Sequence, residues 1–332
     1  MSTRSGTRME NNKAGISVRS VVNSAGIGLA LIALILFFSV FTEHFLTPNN
    51  ITNILTQITI NMILAVGMTF VILVGGIDLS VGSVMAFAAV VAGKAITLPG
   101  FGAFEVILFA CLAALAAGFI CGLMNGVISA YWGLPSFIIT LGMLNVARGA
   151  ALHVSEAKTI YSFPFAFEEF GNTLIFGIPV VFIVALILVL IAWFVLNRTV
   201  FGRLIYGIGN NEEAVRLAGH PVFWYKVAAF SICGLTAGIA AVVYMARLNI
   251  SSPIAGIGFE LNAIAAVIIG GTSLNGGRGS VIGTLLGAFI IGVLANGLIL
   301  LGLSDFMRQM ITGVVIIVAV ILDHYRAKYS TA

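Results

Sequence analysis

The sequence predicts an all-α, polytopic membrane bundle of about ten transmembrane helices with both termini cytoplasmic. Three observations predict it: a composition that water cannot solvate, a succession of apolar runs, and a lopsided distribution of basic residues. Of 332 residues, 60% are hydrophobic and only 8% charged. A soluble domain carries about 25% charged residues. A chain this poor in charge cannot cover itself with a water-compatible surface, so lipid is its solvent.

The apolar runs fall at 24–42, 58–75, 80–97, 104–131, 136–151, 176–197, 223–247, 261–272, 280–303 and 307–322. Each is read as a span, at roughly 20 residues per crossing. The polar stretch 1–22 reads as a cytoplasmic tail, 23–325 as a single transmembrane domain and 326–332 as a C-terminal tail. The first run is too long for a signal-peptide core, and Glu43-His44 is a poor cleavage site, so that run is expected to remain as a span. Ten crossings from a cytoplasmic N-terminus put eleven of the sixteen basic residues inside, but only five of the twelve acids. That is the excess of Lys and Arg expected of cytoplasmic loops. The overall +4 charge therefore reflects orientation and does not point to nucleic acid.

Enzyme chemistry finds little to work with. Cys111, Cys121 and Cys233 sit in apolar stretches as small core residues, and the four histidines are scattered without metal-ligand spacing. There is no G-x-x-x-x-G-K-[ST] phosphate loop. The chain is expected to bind no metal and no cofactor itself. No pair of carboxylates lies deep in the spans, which leaves a proton or sodium relay without parts.

Two glycine-rich segments interrupt the apolar pattern. Residues 75–83 read GGIDLSVGS. Gly75 and Gly76 can end one helix, and Asp78 or Ser80 can cap the next. A charged side chain between apolar spans needs a reason. One reading is a broken helix lining a transport path; the other is a capped turn at the membrane edge. Residues 270–280 read GGTSLNGGRGS, with Gly270, Gly271, Gly276 and Gly277. Such backbone is tolerated only against protein or water. The two segments look loosely alike, which hints at an internal repeat. Gly118, Gly122 and Gly126, like Gly234 and Gly238, repeat at four-residue spacing and predict close helix packing.

Within the spans the polar residues are few. Asp78, Ser80, Asn125, Asn145, Asn262 and Asn296 are the candidates for a substrate pathway. Carboxamides suit a neutral polyhydroxylated ligand, since each offers donors and an acceptor. Interhelical hydrogen bonding is the competing use. Arg148 is expected to extend to the outer face.

The loop 198–222 falls on the inner side. Asn210, Asn211, Glu212, Glu213 and Ala214 look like a helix start: a capping Asn followed by acids in the first turn. Gly219 and Pro221 end it. The resulting helix, 211–218, would turn Ala214, Leu217 and Ala218 to one side, near Arg203, Arg216 and Lys226. Such a face suits a cytoplasmic partner, or else the lipid headgroups.

GGIDLSVGS at 75–83, GRLIYGIGNNEEAVRLAG at 202–219 and ELNAIAAVIIGGTSLNGGRGSVIGTLLGA at 260–288 together resemble the permease subunits of bacterial monosaccharide ABC importers, ribose permeases among them. The resemblance runs from about Asn50 to Asp323. It implies an inner-membrane complex with a second permease chain, a cytoplasmic ABC ATPase that carries the ATP and Mg, and an extracytoplasmic sugar-binding protein. It also implies that the helix at 211–218 docks on the ATPase. Where relatives read E-L-D-A-I-A, this chain has Asn262 in place of the acid. An ion-coupled transporter acting alone and a membrane-embedded enzyme are the rival readings.

Overall fold

The computed structural model describes residues 18–330; the tail residues 1–17 and 331–332 lie outside the described residues. Thirteen helices make up the described part: α1 (Val18–Phe41), α2 (Pro48–Leu73), α3 (Val81–Ile96), α4 (Ala103–Trp132), α5 (Ser136–Val154), α6 (Phe165–Asn172), α7 (Val180–Arg198), α8 (Val200–Asn210), α9 (Glu212–Leu217), α10 (Val222–Leu248), α11 (Phe259–Ile269), α12 (Val281–Leu300) and α13 (Asp305–Ser330). Two small sheets accompany them. β1 (Ile160–Tyr161) pairs antiparallel with β4 (Ile250–Ser251), and β2 (Leu174–Ile175) with β3 (Ile178–Pro179).

Six helices among the described residues, α2, α4, α5, α7, α10 and α12, are long and apolar enough to cross a membrane. They form two layers of environment. α2 and α10 are largely buried, with Met62, Ile63, Leu64, Met68 and Met245 at 0% exposure. α4, α5 and α7 expose large apolar side chains such as Phe104, Trp132, Val146 and Leu190. Faces this apolar and extensive need lipid or another chain against them.

Glycine sets how closely the centre packs. A Cβ added to Gly122 would collide with the Phe230 carbonyl of α10, and one on Gly234 would collide with the Gly118 carbonyl of α4. The four-residue glycine spacing therefore does what the sequence predicts: it lets two backbones touch where no water-driven force separates helix from lipid.

Several expectations need correction. The second span begins at Pro48, ten residues before the expected 58. Thr47 caps it by accepting from the Asn50 N–H, and Pro48 occupies the first turn, where its missing N–H costs nothing. The segment expected to span at 261–272 is an eleven-residue helix. It is about 16 Å long at 1.5 Å per residue and cannot alone cross a core of about 30 Å. It is preceded by a buried, non-helical stretch: Ser251, Ser252 and Ala255 are each under a tenth exposed. Arg148 explains how that backbone survives. Its Nη1 donates to the carbonyls of Pro253 (2.6 Å) and Ala255 (2.8 Å), so it points inward to satisfy them instead of reaching for the outer face. Pro253, Gly256 and Gly258 were the sequence signal for this break, and the apolar run around them hid it. The loop expected at 152–175 contains helix α6, and the loop at 198–222 contains α8 as well as the expected short helix.

Candidate functional site

The two glycine-rich segments are helix breaks of the same construction. After α2, Gly75 (φ +78°) donates to the Ile72 carbonyl and Gly76 to that of Val71. After α11, Gly271 (φ +84°) donates to Ile268 and Thr272 to Val267. This paired pattern with a left-handed residue satisfies carbonyls that would otherwise be orphaned at a helix end, and glycine adopts it without a Cβ penalty. A serine then opens the next helix in both cases: Ser80 before α3 and Ser280 before α12.

The breaks meet. The Gly277 N–H donates to the Leu73 carbonyl at 2.9 Å, so the loop that follows α11 packs on the end of α2. The C-terminal end of α8 completes that junction. Asn210 Nδ2 donates to the Gly277 carbonyl (3.1 Å) and the Tyr206 hydroxyl to the Gly279 carbonyl (3.0 Å). Burial pushes the Tyr206 hydroxyl above its ordinary pKa. Gly209 sits where a Cβ would strike both the Leu73 carbonyl and the Gly277 nitrogen.

Asp78 is 2% exposed in the first break. Its Oδ1 accepts from the Ser80 N–H (2.8 Å) and hydroxyl (2.6 Å), and Asn125 Nδ2 reaches Oδ2 at 3.4 Å and the Ser80 hydroxyl at 3.0 Å. A carboxylate out of water costs several kcal/mol unless such bonds compensate it. The residue preceding α3 is Ser80, which makes no side-chain cap bond, and α3 begins at Val81. Asp78 thus folds the turn before the helix, and neither Asp78 nor Ser80 caps α3 with its side chain as the sequence suggested. α5 supplies the remaining partners: Ser136 accepts from the Ile77 N–H, and Thr140 from that of Leu79.

Asp78, Ser80 and Asn125 therefore form one cluster, but the other candidates do not join it. Asn296 is buried and paired reciprocally with Asn50, 3.0 Å in each direction, which is a helix-to-helix clamp. Asn145 is exposed and donates to its own helix at Leu141. Asn262 lines a separate cavity of about 330 Å³ between α2, α11 and α12, with Gln57 and Asn61 of α2. The pairing Asn50–Asn296 and the glutamine at 57 were invisible in the sequence, since nothing local marks which amides share a partner.

Next to the junction, α9 is the short helix the sequence predicted. Asn211 caps it by accepting from the Ala214 N–H at 2.9 Å. Val215 packs on the core and against Gly207, while Ala214, Leu217 and Ala218 are exposed, Leu217 at 80%. Arg216 and Lys226 do not present free charge around that face. Glu212 pairs with both (3.0 and 2.5 Å) and Glu213 with Arg216 (3.2 Å), so the helix is stapled to α10.

Residues 50–320 match the family described as branched-chain amino acid transport system / permease component. The Ribose import permease protein RbsC of Escherichia coli (strain K12) is 42% identical over 304 residues, 89% of this chain and 92% of that protein. The RbsC of Bacillus subtilis (strain 168) is 39% identical over 96% of this chain and 98% of its own length. The D-allose transport system permease protein AlsC of Escherichia coli (strain K12) is 41% identical over 90% of each. No solved structure matches. The chain belongs to this family of transport permeases and is a multi-pass protein of the bacterial inner membrane.

Proposed function

We propose that the chain is the membrane-spanning subunit of an ATP-driven importer that carries a neutral monosaccharide, ribose first among the candidates, then xylose, galactose or inositol. The names of its relatives support a sugar. It is a translocation subunit and not an enzyme; ATP and Mg belong to a partner ATPase, and capture of the sugar to an extracytoplasmic binding protein. A second copy of the same chain completes the pathway.

The carrying observation is mechanical. The exposed apolar face of α9 is stapled to α10 by Glu212–Lys226, and α8, one residue before it, is bonded into the junction of both glycine breaks. A push on α9 thus reaches the end of α2 and the loop that follows α11. Ala214, Leu217 and Ala218 would occupy a groove on the ATPase. The ten crossings comprise α1 to α5, α7, α10, α11 with its buried approach, α12 and α13, with both termini cytoplasmic. A cysteine at Glu168 should label only from outside and one at Ser330 only from inside; a tail labelled from outside overturns that topology.

Ala214→Glu tests the coupling role. The chain should insert and bind the sugar-binding protein, but lose the ATPase and sugar-stimulated hydrolysis. Arg198→Ala, at the membrane edge of the same loop, should matter much less. If Ala214→Glu keeps the ATPase and normal uptake, α9 is a headgroup helix. Uptake by the reconstituted chain without any ATPase, driven by an ion gradient, would instead make it a secondary transporter.

A further inference from the structure

In lipid a polar side chain without a partner is costly, so the amides of the spans sort themselves by whether they have one. Asn50 and Asn296 satisfy each other, Asn145 bonds its own helix, and the Asn125 Nδ2 serves Asp78 and Ser80, although its Oδ1 is buried without a partner. Gln57, Asn61 and Asn262 have no side-chain hydrogen bond among the described residues, and the Oδ1 of Asn61 is buried without a partner. These three unpartnered amides come from two different elements, α2 and α11, yet line the same cavity of about 330 Å³. That volume lies at the lower end of the 300–1,000 Å³ range of small-molecule sites.

The rest of the wall has matching chemistry. Phe259 offers an apolar ring, and Arg247 and Arg308 offer donors. Arg308 is already paired with Asp305 at 2.9 Å. Arg247 makes only a long bond, 3.4 Å, to the Thr56 carbonyl. Among the described residues no acid lines the cavity, so the ammonium group of an amino acid would find no counter-charge. A ligand with many hydroxyls and no positive charge suits the wall: carboxamides both donate to and accept from hydroxyls, and guanidinium N–H groups donate. The cavity lies at the N-terminal end of α11, directly beyond the broken stretch held by Arg148, where unwound segments of transporters form their sites.

We infer that Gln57, Asn61 and Asn262 form a transient sugar subsite within the permease itself, contacting the cargo after its release from the binding protein. This rests on the sugar-importer reading and deepens it. Because the amides are unpartnered in the empty protein, the sugar can bond them without first displacing an internal partner.

The test uses the whole complex of permease, ATPase and binding protein in liposomes, with radiolabelled D-ribose. Gln57→Leu combined with Asn262→Leu should lower uptake about tenfold, while hydrolysis stimulated by the binding protein stays within about twofold of the parent. Asn61→Leu should lower uptake and leave the melting temperature unchanged or higher, because it removes a buried unpaired acceptor; a merely structural amide would instead lower it. Asn197→Ala, whose amide bonds its own helix at Trp193, should change neither. If the parent complex imports ribose and the double variant imports it as well, the subsite is wrong. If the parent imports no neutral sugar but a branched-chain amino acid, the sugar reading itself is wrong.

Discussion

The chain breaks twice after a glycine pair, at 74–80 and at 270–280, and the two breaks are built alike as far as the turn and differently beyond it. Both close a helix with a left-handed glycine and both restart with serine then valine. The first break is then held by side chains: Asp78 within the turn, Asn125 of α4, and Ser136 and Thr140 of α5 fix it, and Asp78 is almost fully buried. The second is held mostly by backbone and by glycine, with Gly276, Gly277 and Gly279 all at positive φ. The Ser273 N–H donates to the Arg278 carbonyl and closes the loop on itself. One break is therefore locked by a polar cluster, and the other is shaped to be approached. The element that approaches is α8, through Tyr206, Gly209 and Asn210. The difference teaches where a push from the neighbouring α9 would be felt first: at the second break, with the first acting as its anchor.

The largest effect should come from filling the place where both breaks meet. Gly209→Leu would drive a side chain into the Leu73 carbonyl and the Gly277 nitrogen. Overpacking of a tight backbone contact costs about 1–3 kcal/mol or more, so poor yield of assembled complex and loss of uptake are expected. Normal assembly would mean that the junction opens readily and that the two breaks are independent.

The anchor comes next. Asp78→Leu leaves the Ser80 N–H and hydroxyl buried without their acceptor, and the Asn125 amide with the Ser80 hydroxyl alone, at about 1–3 kcal/mol for an unsatisfied group. Asp78→Asn retains an acceptor for the Ser80 N–H and should keep much more of the stability and transport. Thermal melting with uptake, measured on both variants, separates the cases. Equal loss would show that the charge itself matters, and the first break would then be more than an anchor.

A smaller effect separates the two serines. Ser280 caps α12 by accepting from the Gly283 N–H at 2.9 Å, so Ser280→Ala should cost about 0.5–2 kcal/mol. Ser80 makes no cap bond but serves Asp78 and Asn125. Ser80→Ala should therefore couple to Asp78→Asn in a double-mutant cycle, while Ser280→Ala should add independently of it. The smallest effect is expected at Asn275, exposed at the tip of the second break, where Asn275→Ala should change the melting temperature little.

The membrane bundle, the two glycine breaks and the α9 helix were legible in the sequence because each is written locally. Apolar runs, glycine pairs and a capping Asn followed by acids are all read within about ten residues. Asp78 announced itself the same way, as a charge between apolar spans. Its partners did not, and neither did the half-length of α11, because Arg148, which satisfies the carbonyls leading into it, lies more than a hundred residues earlier in the chain.

By itself, the sequence determined that this chain lives in lipid, where its helices pause, and which short helix stands outside them. Only the tertiary structure decided which polar groups have partners. The asparagines look equivalent in the sequence, yet Asn50 and Asn296 clamp two helices, Asn125 holds a turn, and Asn61 and Asn262 face a cavity without side-chain partners. The physical reason is that a carboxamide has no preference of its own between these fates. Its role is fixed by whether another polar group lies within about 3 Å, and that distance is set by how helices far apart in sequence pack together.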